Sequence, residues 1–389
     1  MNKISDCYDI IIIGAGASGL LSACLLASSG KKILIIEKNK RVGMKLSATG
    51  NGRCNLTNLD MRARNYYCEK EYIESIINRV SPEDVIRVFN DLGVYTRDKD
   101  GYVYPHTNQA STVINALIKG CEHENIFVLT DTLASDIIVN DDVNGNLPRF
   151  VVETSGGNFG SEKLILACGG AAGGEQGGSG AGYELVKKLG HEVSDIYPGL
   201  TGMYAAGRWW KEVSGTRVQG SFSLYVDDKK EGTETGEIQI TAKGVSGIPV
   251  FQLCRVAAQA LAEGKNVWGE IDFVPGMRSE KIADWIGEHG VEGLVPAKWI
   301  NVISQGDVVK NIKRFGFTIT DTYPIEKAQV SAGGVPLSEI NRNSFESEVA
   351  PGAYLLGELL DVDGICGGYN LHFAWASAII SSHHLMESF

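Results

Sequence analysis

The sequence predicts an α/β protein whose main domain is built on a parallel β-sheet and is interrupted by a β-rich insertion. Three observations support this fold class. Near the N-terminus, a glycine-rich turn joins a short apolar strand to a helix. In the middle of the chain, apolar and polar residues alternate as in half-buried strands. A second strand–turn–helix pattern lies near the C-terminus. With 389 residues, the chain has room for two or three domains.

The first element is a continuously apolar run at residues 10–13, which is typical of a parallel strand buried on both faces. A helix is predicted to follow and to end at Gly30, and a second apolar strand ends near Glu37. An acid at that place accepts hydrogen bonds from a ribose, so the series predicts an adenine dinucleotide and favours FAD or NAD over NADP. The turn between strand and helix, GAGASG, has three glycines in the GxGxxG spacing: Gly14, Gly16 and Gly19.

The segment after Glu37 helps to separate FAD from NAD. KNKRVGMKLSATGNGRCNLTN, residues 38–58, is predicted to be a long irregular loop, whereas a plain NAD domain would continue with another βα unit. A flavin ring and its ribityl chain need such a segment around them. The loop therefore favours FAD.

Three strands predicted at residues 129–140, 149–154 and 163–170 favour FAD as well. They resemble the β-meander of two-dinucleotide-type flavoproteins, whose last strand returns to the cofactor at a turn of small residues. Here that turn is at residues 167–170.

Near the C-terminus, a short strand is predicted to end at Gly357 and Glu358, and a helix is predicted to begin at Gly367 and Gly368. The positive end of that helix dipole would favour an anionic reduced flavin ring. Both features again favour FAD over NAD.

The pattern changes between about residue 190 and Tyr323. SFSLYVDD alternates apolar and polar residues, and EIQITAKG and NVWGEIDFVP fit further antiparallel strands of a small barrel or sandwich. Two helical stretches between Ser279 and about Arg314 are suited to a cap.

These segments resemble the BaiN/YhiN-type family of FAD-dependent oxidoreductases, which is also similar to aminoacetone oxidases. The matching motifs are GAGASGL, GMKLSATGNGRCNLTN, AQVSAGGV and LLGELLDVDGICGGYNLHFAWASA, and the resemblance covers essentially the whole chain. It implies a Rossmann-like FAD-binding domain at residues 1–190 and 324–389. It also implies an inserted β-barrel-like domain at 191–323 with a small helical cap at about 276–315, and a substrate cleft between the domains.

The resemblance implies FAD contacts along the glycine turn, the polar loop, the meander and the C-terminal motif. Arg53 and Asn55 are expected to hydrogen-bond near the flavin ring, and Glu358 is expected to hold a ribityl hydroxyl. The implied FAD-binding residues are Gly14, Ala15, Gly16, Ala17, Ser18, Gly19, Glu37, Lys38, Lys45, Gly52, Arg53, Cys54, Asn55, Leu133, Cys168, Gly169, Gly170, Gly357, Glu358, Asp363, Gly367, Gly368, Tyr369 and Asn370.

The sequence shows no evident catalytic acid or base and no metal-ligand motif. A structural role is favoured for the isolated histidines and the loop cysteines, since none has a visible partner. Where the family often has a histidine and an acid, this chain has Ala242 and Ala181, so those roles do not carry over. The residues considered were His106, His191, His372, Cys54 and Cys366.

The expected function is that of an FAD-dependent oxidoreductase. One hypothesis is a reductase of a conjugated enone, fed by NADH or NADPH that binds transiently because only one Rossmann fingerprint is present. The alternatives are an amine oxidase of the aminoacetone type that uses oxygen, a non-catalytic FAD-binding regulator or RNA-modification partner that uses flavin structurally, and a plain NAD dehydrogenase.

Composition limits the partners. The formal net charge of −11 argues against a nucleic-acid surface, which needs clustered Lys and Arg. No signal peptide and no apolar stretch of about 20 residues is evident, and eight cysteines contain no CxxC pair, so a cytoplasmic protein without membrane contact is expected. A small-molecule substrate is expected, and the sequence does not predict an oligomeric state.

Overall fold

The computed structural model describes residues 4–140 and 147–389, which form two compact units. The first unit is Met1–Ile196 with Val330–Phe389, and the second is Tyr197–Gln329. Each sequence-based boundary, at 190 and 324, lies six residues before the observed one.

Hydrogen bonds explain why the first unit extends beyond residue 190. His191 Nδ1 lies 2.6 Å from Glu339 Oε2, and the Ser194 hydroxyl donates to Asp361 Oδ2 at 3.0 Å. Both acids follow the insertion in the chain. The segment after Gly190 is therefore held by the C-terminal part of its own unit.

The elements of the first unit that precede the insertion are a mixture of strands and helices. The strands are β1 (Ile4–Ile13), β2 (Ile33–Ile36), β3 (Thr57–Asn58), β4 (Tyr66–Tyr67), β5 (Thr96–Lys99), β6 (Tyr102–Pro105), β7 (Ile126–Leu129), β8 (Ala134–Val139), β9 (Phe150–Thr154) and β10 (Gly157–Leu166). The helices are α1 (Ala17–Leu26), α2 (Met44–Gly52), α3 (Lys70–Arg79), α4 (Pro82–Asp91), α5 (Ala110–Gly120) and α6 (Ala181–Lys188).

The remaining elements belong to the insertion and to the return of the chain to the first unit. The insertion has strands β11 (Tyr197–Gly199), β12 (Met203–Ala205), β13 (Arg217–Val226), β14 (Lys229–Thr241), β15 (Gly244–Ser246), β16 (Val267–Asp272) and β17 (Phe315–Thr322). Its helices are α7 (Trp210–Val213), α8 (Ile248–Ala262), α9 (Ser279–His289), α10 (Ile300–Ile303) and α11 (Val308–Lys313). The chain then ends with β18 (Val330–Ala332), β19 (Ala353–Leu355), β20 (Asp363–Gly364) and α12 (Tyr369–Glu387).

A seven-stranded sheet in the order β7-β2-β1-β10-β9-β8, with β19 beside β10, lies at the centre of the first unit as described. β7, β2, β1, β10 and β19 pair in parallel, whereas β8, β9 and β10 form an antiparallel meander. The apolar run at residues 10–13 is buried in β1, because strands flank it on both sides and helices cover the sheet. The predicted Rossmann-type α/β domain is confirmed.

The polar segment at residues 38–58 is not an irregular loop throughout, so that prediction was wrong in part. Met44 begins α2, and Leu46 is buried in the core. Residues Thr49–Asn51 lie outside helical geometry, and Gly50 and Asn51 both have φ of 56°. The helix was missed because the following glycines and asparagines dominate the composition of the segment.

The insertion forms a closed barrel in the order β12-β15-β14-β13-β16-β17. The alternating side chains predicted to share one face, Phe222, Leu224 and Val226, are all buried in its core. The helices α9, α10 and α11 lie between β16 and β17 in the chain, as predicted for the helical stretches.

Helix α8 of the insertion was not predicted, although its sequence carried a signal. Pro249 occupies its first turn, and Val250, Leu253, Cys254 and Ala257 are buried at helical spacing. In the described residues, no helix has the length and apolar character needed to cross a lipid bilayer.

Candidate functional site

The turn between β1 and α1 gives its three glycines two different roles. A Cβ atom on Gly14, where φ is 104°, would lie 2.4 Å from the Ala167 carbonyl oxygen, and one on Gly19 would lie 2.0 Å from the Gly14 carbonyl oxygen. A Cβ atom on Gly16 would meet no atom within 4 Å. Gly14 and Gly19 therefore permit close packing, whereas Gly16 faces open space.

Helix α1 begins at Ala17, directly after Gly16. No side chain caps this helix start, and its first turn contains no acid. Free N–H groups and the helix dipole bind phosphate, and the glycine turn leaves room for it. This part of the site fits the pyrophosphate of a dinucleotide.

Glu37 is buried at the end of β2 and is oriented by the main chain. Its Oε2 accepts a hydrogen bond from the Ala15 N–H at 2.8 Å. Its Oε1 accepts from the N–H and the Nδ2 of Asn39, at 2.8 and 2.6 Å. A carboxylate has about four acceptor positions, so Glu37 keeps capacity for a ribose hydroxyl.

Lys38 and Leu133 lie next to Glu37. The Lys38 ammonium donates a hydrogen bond to Ser179 Oγ, and partial burial lowers the pKa of Lys38. The Thr132 N–H donates to the Glu37 carbonyl oxygen at 2.9 Å, which brings the exposed Leu133 to this end of the site.

The structure brings together two residues that the sequence had proposed separately, Lys45 and Glu358. Lys45 Nζ lies 2.8 and 2.6 Å from the two carboxylate oxygens of Glu358, and the side chains are 29% and 19% exposed. The Ser331 N–H donates to Glu358 Oε1 at 2.8 Å. The negative charge of Glu358 is therefore balanced within the protein.

The turn after β10 is held against this ion pair. The Ser331 hydroxyl accepts hydrogen bonds from the Ala171 and Ala172 N–H groups, at 2.8 and 2.9 Å. A Cβ atom on Gly170 would lie 2.5 Å from Ser331 Oγ and 2.8 Å from Glu358 Oε1, so a larger residue there would displace these two side chains. Gly169 has φ of 68°, and a Cβ atom on it would meet no atom within 4 Å. Burial raises the pKa of the neighbouring Cys168 thiol to about 12.

A second open helix start lies at α12. Gly367 and Gly368 have φ values of 133° and 96°, no side chain caps the helix, and its first turn contains no acid. Asn55 Oδ1 is buried beside it without a hydrogen-bond partner in the described residues, and a Cβ atom on Gly368 would lie 2.9 Å from that oxygen. An unmet acceptor next to free N–H groups fits the pyrimidine edge of a flavin, which carries both acceptors and a donor.

Other residues proposed near α12 build the site rather than offer free side chains. The Asn370 amide exchanges two hydrogen bonds of 2.8 Å with the backbone of Gly364. The Tyr369 hydroxyl donates to the Asp60 carbonyl oxygen at 3.3 Å, and Asp363 is buried. Gly357 has φ of 63°, and its N–H donates to Ser377 Oγ at 3.1 Å.

Each candidate histidine has a structural contact. His372 is buried, with Nδ1 2.8 Å from Thr57 Oγ1 and Nε2 3.1 Å from the Val80 carbonyl oxygen. Burial lowers the pKa of His372 to about 4, so the ring is neutral and donates from Nε2. His191 is bound between Glu339 and Ser347, and His106 packs against Tyr95.

The loop cysteine Cys54 is not a reactive thiol. It is buried at φ of 58°, and burial raises its pKa to about 12. Cys366 is half-buried at the turn before α12. In the described residues, no cluster of three or more His, Cys, Asp or Glu side chains is arranged to hold a metal ion.

Sequence reasoning missed two contributors to the site. Ser331 lies in the AQVSAGGV motif, so the motif itself was a signal for it. Tyr104 had no sequence signal, and its ring centre lies 5.1 Å from the Arg53 guanidinium carbon. Gly52, beside Arg53, is exposed with φ of 79°.

Comparison with known proteins agrees with this site. Residues 8–384 match the family described as HI0933-like protein Rossmann domain. The chain is 33% identical over 419 residues to the 3-dehydro-bile acid delta(4,6)-reductase of Clostridium scindens, with 100% of both chains covered. It is 27% identical to the ribosomal RNA dihydrouridine synthase of Escherichia coli, with 98% of each chain covered.

Solved structures show the same fold. A flavocytochrome c3 fumarate reductase in its open conformation has a TM-score of 0.51 at 14% identity, covering 99% of this chain and 79% of that one. The glycine turn, the open start of α12 and the full-length family match lead to one conclusion. The chain belongs to the HI0933-like family and is an FAD-dependent oxidoreductase.

Proposed function

We propose that the protein reduces a carbon–carbon double bond conjugated with a carbonyl group in a small organic substrate, using electrons from NADH or NADPH. The observation that carries this proposal is the 33% identity, over the whole of both chains, to a reductase of a 3-dehydro-bile acid. The open start of α12 supports it, since a positive helix end stabilises negative charge on a reduced flavin.

The names of two relatives point to one type of bond. A 3-oxo group with double bonds at positions 4 and 6 is one conjugated system. The double bond that is saturated in dihydrouridine is likewise conjugated with a carbonyl group. Relatives at 33% and 27% identity thus share the reduction of an electron-poor double bond, which favours a reductase over an amine oxidase.

Some residues of the chain would bind FAD, and others would set the charge around it. FAD, when bound, supplies two-electron hydride transfer. Gly16 and the start of α1 would bind the pyrophosphate, and Glu37 would accept hydrogen bonds from the ribose. Lys45 orients Glu358, and the α12 start with Asn55 would bind the pyrimidine edge.

A second candidate is reduction of uridine in ribosomal RNA, because the match to the Escherichia coli dihydrouridine synthase covers 98% of each chain. RNA binding depends on neutralising phosphates with Lys and Arg. The formal net charge of −11 makes this the weaker candidate.

The proposal is tested by following the label from NADH or NADPH deuterated at the transferred position. Purified protein is incubated under nitrogen with a 3-oxo-4-ene steroid, and the product is analysed by mass spectrometry. We expect a saturated ketone that carries one deuterium atom. An unlabelled enone, together with oxygen uptake on adding aminoacetone, would instead identify an amine oxidase.

The RNA candidate is tested in parallel. Ribosomal RNA that lacks dihydrouridine is incubated with the protein and NADPH, digested to nucleosides and analysed for dihydrouridine. If dihydrouridine forms and the steroid is not reduced, the substrate is uridine in ribosomal RNA and not a small organic molecule. A protein that binds FAD but is inactive in every assay would be a non-catalytic FAD-binding protein.

A further inference from the structure

An exposed arginine, Arg53, is held in a fixed orientation two residues before Asn55, whose side chain borders the start of α12. Gly50, Asn51 and Gly52 have left-handed φ values of 56°, 56° and 79°, and they turn the chain so that the Arg53 side chain leaves the core. Arg53 Nε donates to the Gly50 carbonyl oxygen at 3.0 Å, and the guanidinium lies over the Tyr104 ring. These two contacts fix the plane of the guanidinium group.

The terminal nitrogens of Arg53 have no protein acceptor in residues 4–140 and 147–389, and no carboxylate there forms an ion pair with it. Arg62 is paired with Asp60 at 2.5 Å and Arg87 with Asp84 at 3.1 Å, whereas the exposed arginines Arg41, Arg97 and Arg342 form no ion pair in the described residues either. What distinguishes Arg53 is that Gly50 and Tyr104 hold its guanidinium. A guanidinium presents its N–H groups as a planar fork that matches a carboxylate. Arg53 therefore presents an oriented guanidinium whose terminal N–H groups can bind an anion.

A short chain of contacts connects Arg53 with the part of the site that fits the flavin. Arg53 is hydrogen-bonded to Gly50, and a Cβ atom on Gly50 would lie 3.1 Å from the backbone nitrogen of Asn55. Asn55 Oδ1 in turn borders Gly368 at the start of α12. The start of α1 fits the phosphates of FAD, so they would not need Arg53, and the family resemblance places Arg53 near the flavin ring instead.

We propose that Arg53 is a specificity residue that binds the carboxylate of an acidic substrate while its double bond is reduced. This inference rests on the proposed function and names the substrate class more narrowly, as carbonyl-conjugated alkenes that also carry a carboxylate. Because Tyr104 and Gly50 already fix the side chain, little conformational entropy is lost when the anion binds. The relative that reduces a bile acid acts on a substrate of this kind.

The test is a binding titration that needs no turnover. FAD-loaded protein is titrated without nicotinamide with a 3-oxo-4-ene steroid bearing a side-chain carboxylate, and with its primary amide, by following the oxidised-flavin absorption. We expect the wild type to bind the acid about tenfold more tightly than the amide, as is typical of a hydrogen-bonded charge pair. Arg53→Gln should abolish this preference, and Arg53→Lys should reduce it.

Arg87→Gln is the matched control, because Arg87 is exposed in the same unit but already paired with Asp84. It should leave the preference for the acid unchanged. The proposal is overturned if the wild type does not distinguish acid from amide, or if Arg53→Gln weakens both equally or releases FAD. It is also overturned if an oligoribonucleotide, and not the steroid acid, is the ligand whose binding depends on Arg53.

The result is separable from the proposed function. If the acid binds in a way that depends on Arg53 but NADH and NADPH reduce no enone, the proposed reductase function is rejected and the proposed anion site is supported. If the enone is reduced with equal KM values for the acid and the amide, the proposed reductase function is supported and the proposed anion site is rejected.

Discussion

Two of the helices of the first unit that begin after a glycine, α1 and α12, are built in opposite ways. At α1, one βαβ unit supplies all the residues of the dinucleotide motif: Gly14, Gly16, Gly19 and Glu37. The atoms closest to Gly14 and Gly19 are mainly backbone. At α12, the neighbouring groups come from distant parts of the chain, as in the contact between Thr57 and His372, which are 315 residues apart. The α1 end therefore depends on close backbone packing, whereas the α12 end depends on long-range side-chain contacts.

The largest effect is expected from Gly19→Ala, which tests the backbone packing at α1. The new Cβ atom would lie 2.0 Å from the Gly14 carbonyl oxygen, so the strand and helix must separate. We expect the free energy of unfolding of the apoprotein, measured with urea, to fall by about 3 kcal/mol.

Gly16→Ala is the matched control, since its Cβ atom would meet no protein atom within 4 Å. It should leave apoprotein stability nearly unchanged and weaken FAD binding, because the methyl group would occupy the space left for the pyrophosphate. Equal apoprotein stability of both variants would show that the two glycines do not differ in role.

The next effect tests the long-range contacts at α12 through pH. The pKa of His372 is lowered from 6.5 to about 4 by burial, so between these values the unfolded chain binds a proton that the folded chain does not. Stability is therefore present above pH 6.5 and is lost as the pH falls towards 4, by about 3 kcal/mol over the whole interval.

The measurement is urea unfolding of wild type and His372→Asn between pH 7 and pH 4.5. The variant is expected to be less stable at pH 7, because it loses the bond to Thr57 or to Val80, but its stability should fall less with pH. Parallel pH curves for the two proteins would mean that His372 does not titrate in this range.

A smaller effect is expected from Glu37→Ala, which returns to the α1 end. Removing the carboxylate takes away the proposed ribose contact and the acceptor of the Ala15 N–H. We expect the Kd for FAD, measured by fluorescence quenching, to rise by a factor that corresponds to about 2 kcal/mol. Asn39→Ala is the control, since it removes a donor to Glu37 but no proposed FAD contact. An unchanged Kd in Glu37→Ala would contradict the ribose assignment.

The smallest effect concerns the ion pair between Lys45 and Glu358. Because both side chains are partly exposed, we expect a coupling free energy of only about 1 kcal/mol. A double-mutant cycle of Lys45→Met and Glu358→Gln, read out as urea stability of the apoprotein, measures it. Additive effects would mean that the two charges do not stabilise one another.

The same contrast explains how far the sequence could be interpreted. The α1 end was predicted because all of its signals are local, and the buried strands at β1 and β2 follow directly from their apolar runs. At the α12 end, the glycines were found, but Tyr104 and the orphaned oxygen of Asn55 were not, because they depend on how distant segments pack. No spacing in the sequence shows that Lys45 and Glu358 meet.

Two further differences have other causes. The helical turns at the start of α2 were missed because Gly50, Asn51 and Gly52 made the whole segment look irregular. Helix α8 was missed although its buried positions recur at helical spacing, since the strands predicted on both sides of it suggested that this part of the insertion contains only strands.

The central claim, a nicotinamide-fed flavoprotein that reduces a carbonyl-conjugated double bond, is tested most directly by visible absorption under nitrogen. NADH or NADPH is added to the purified protein until the flavin band is bleached, and a 3-oxo-4-ene steroid acid is then added. We predict that the band is lost with the nicotinamide and returns with the steroid. A band that persists with both nicotinamides, or that returns only when oxygen is admitted, would contradict the claim.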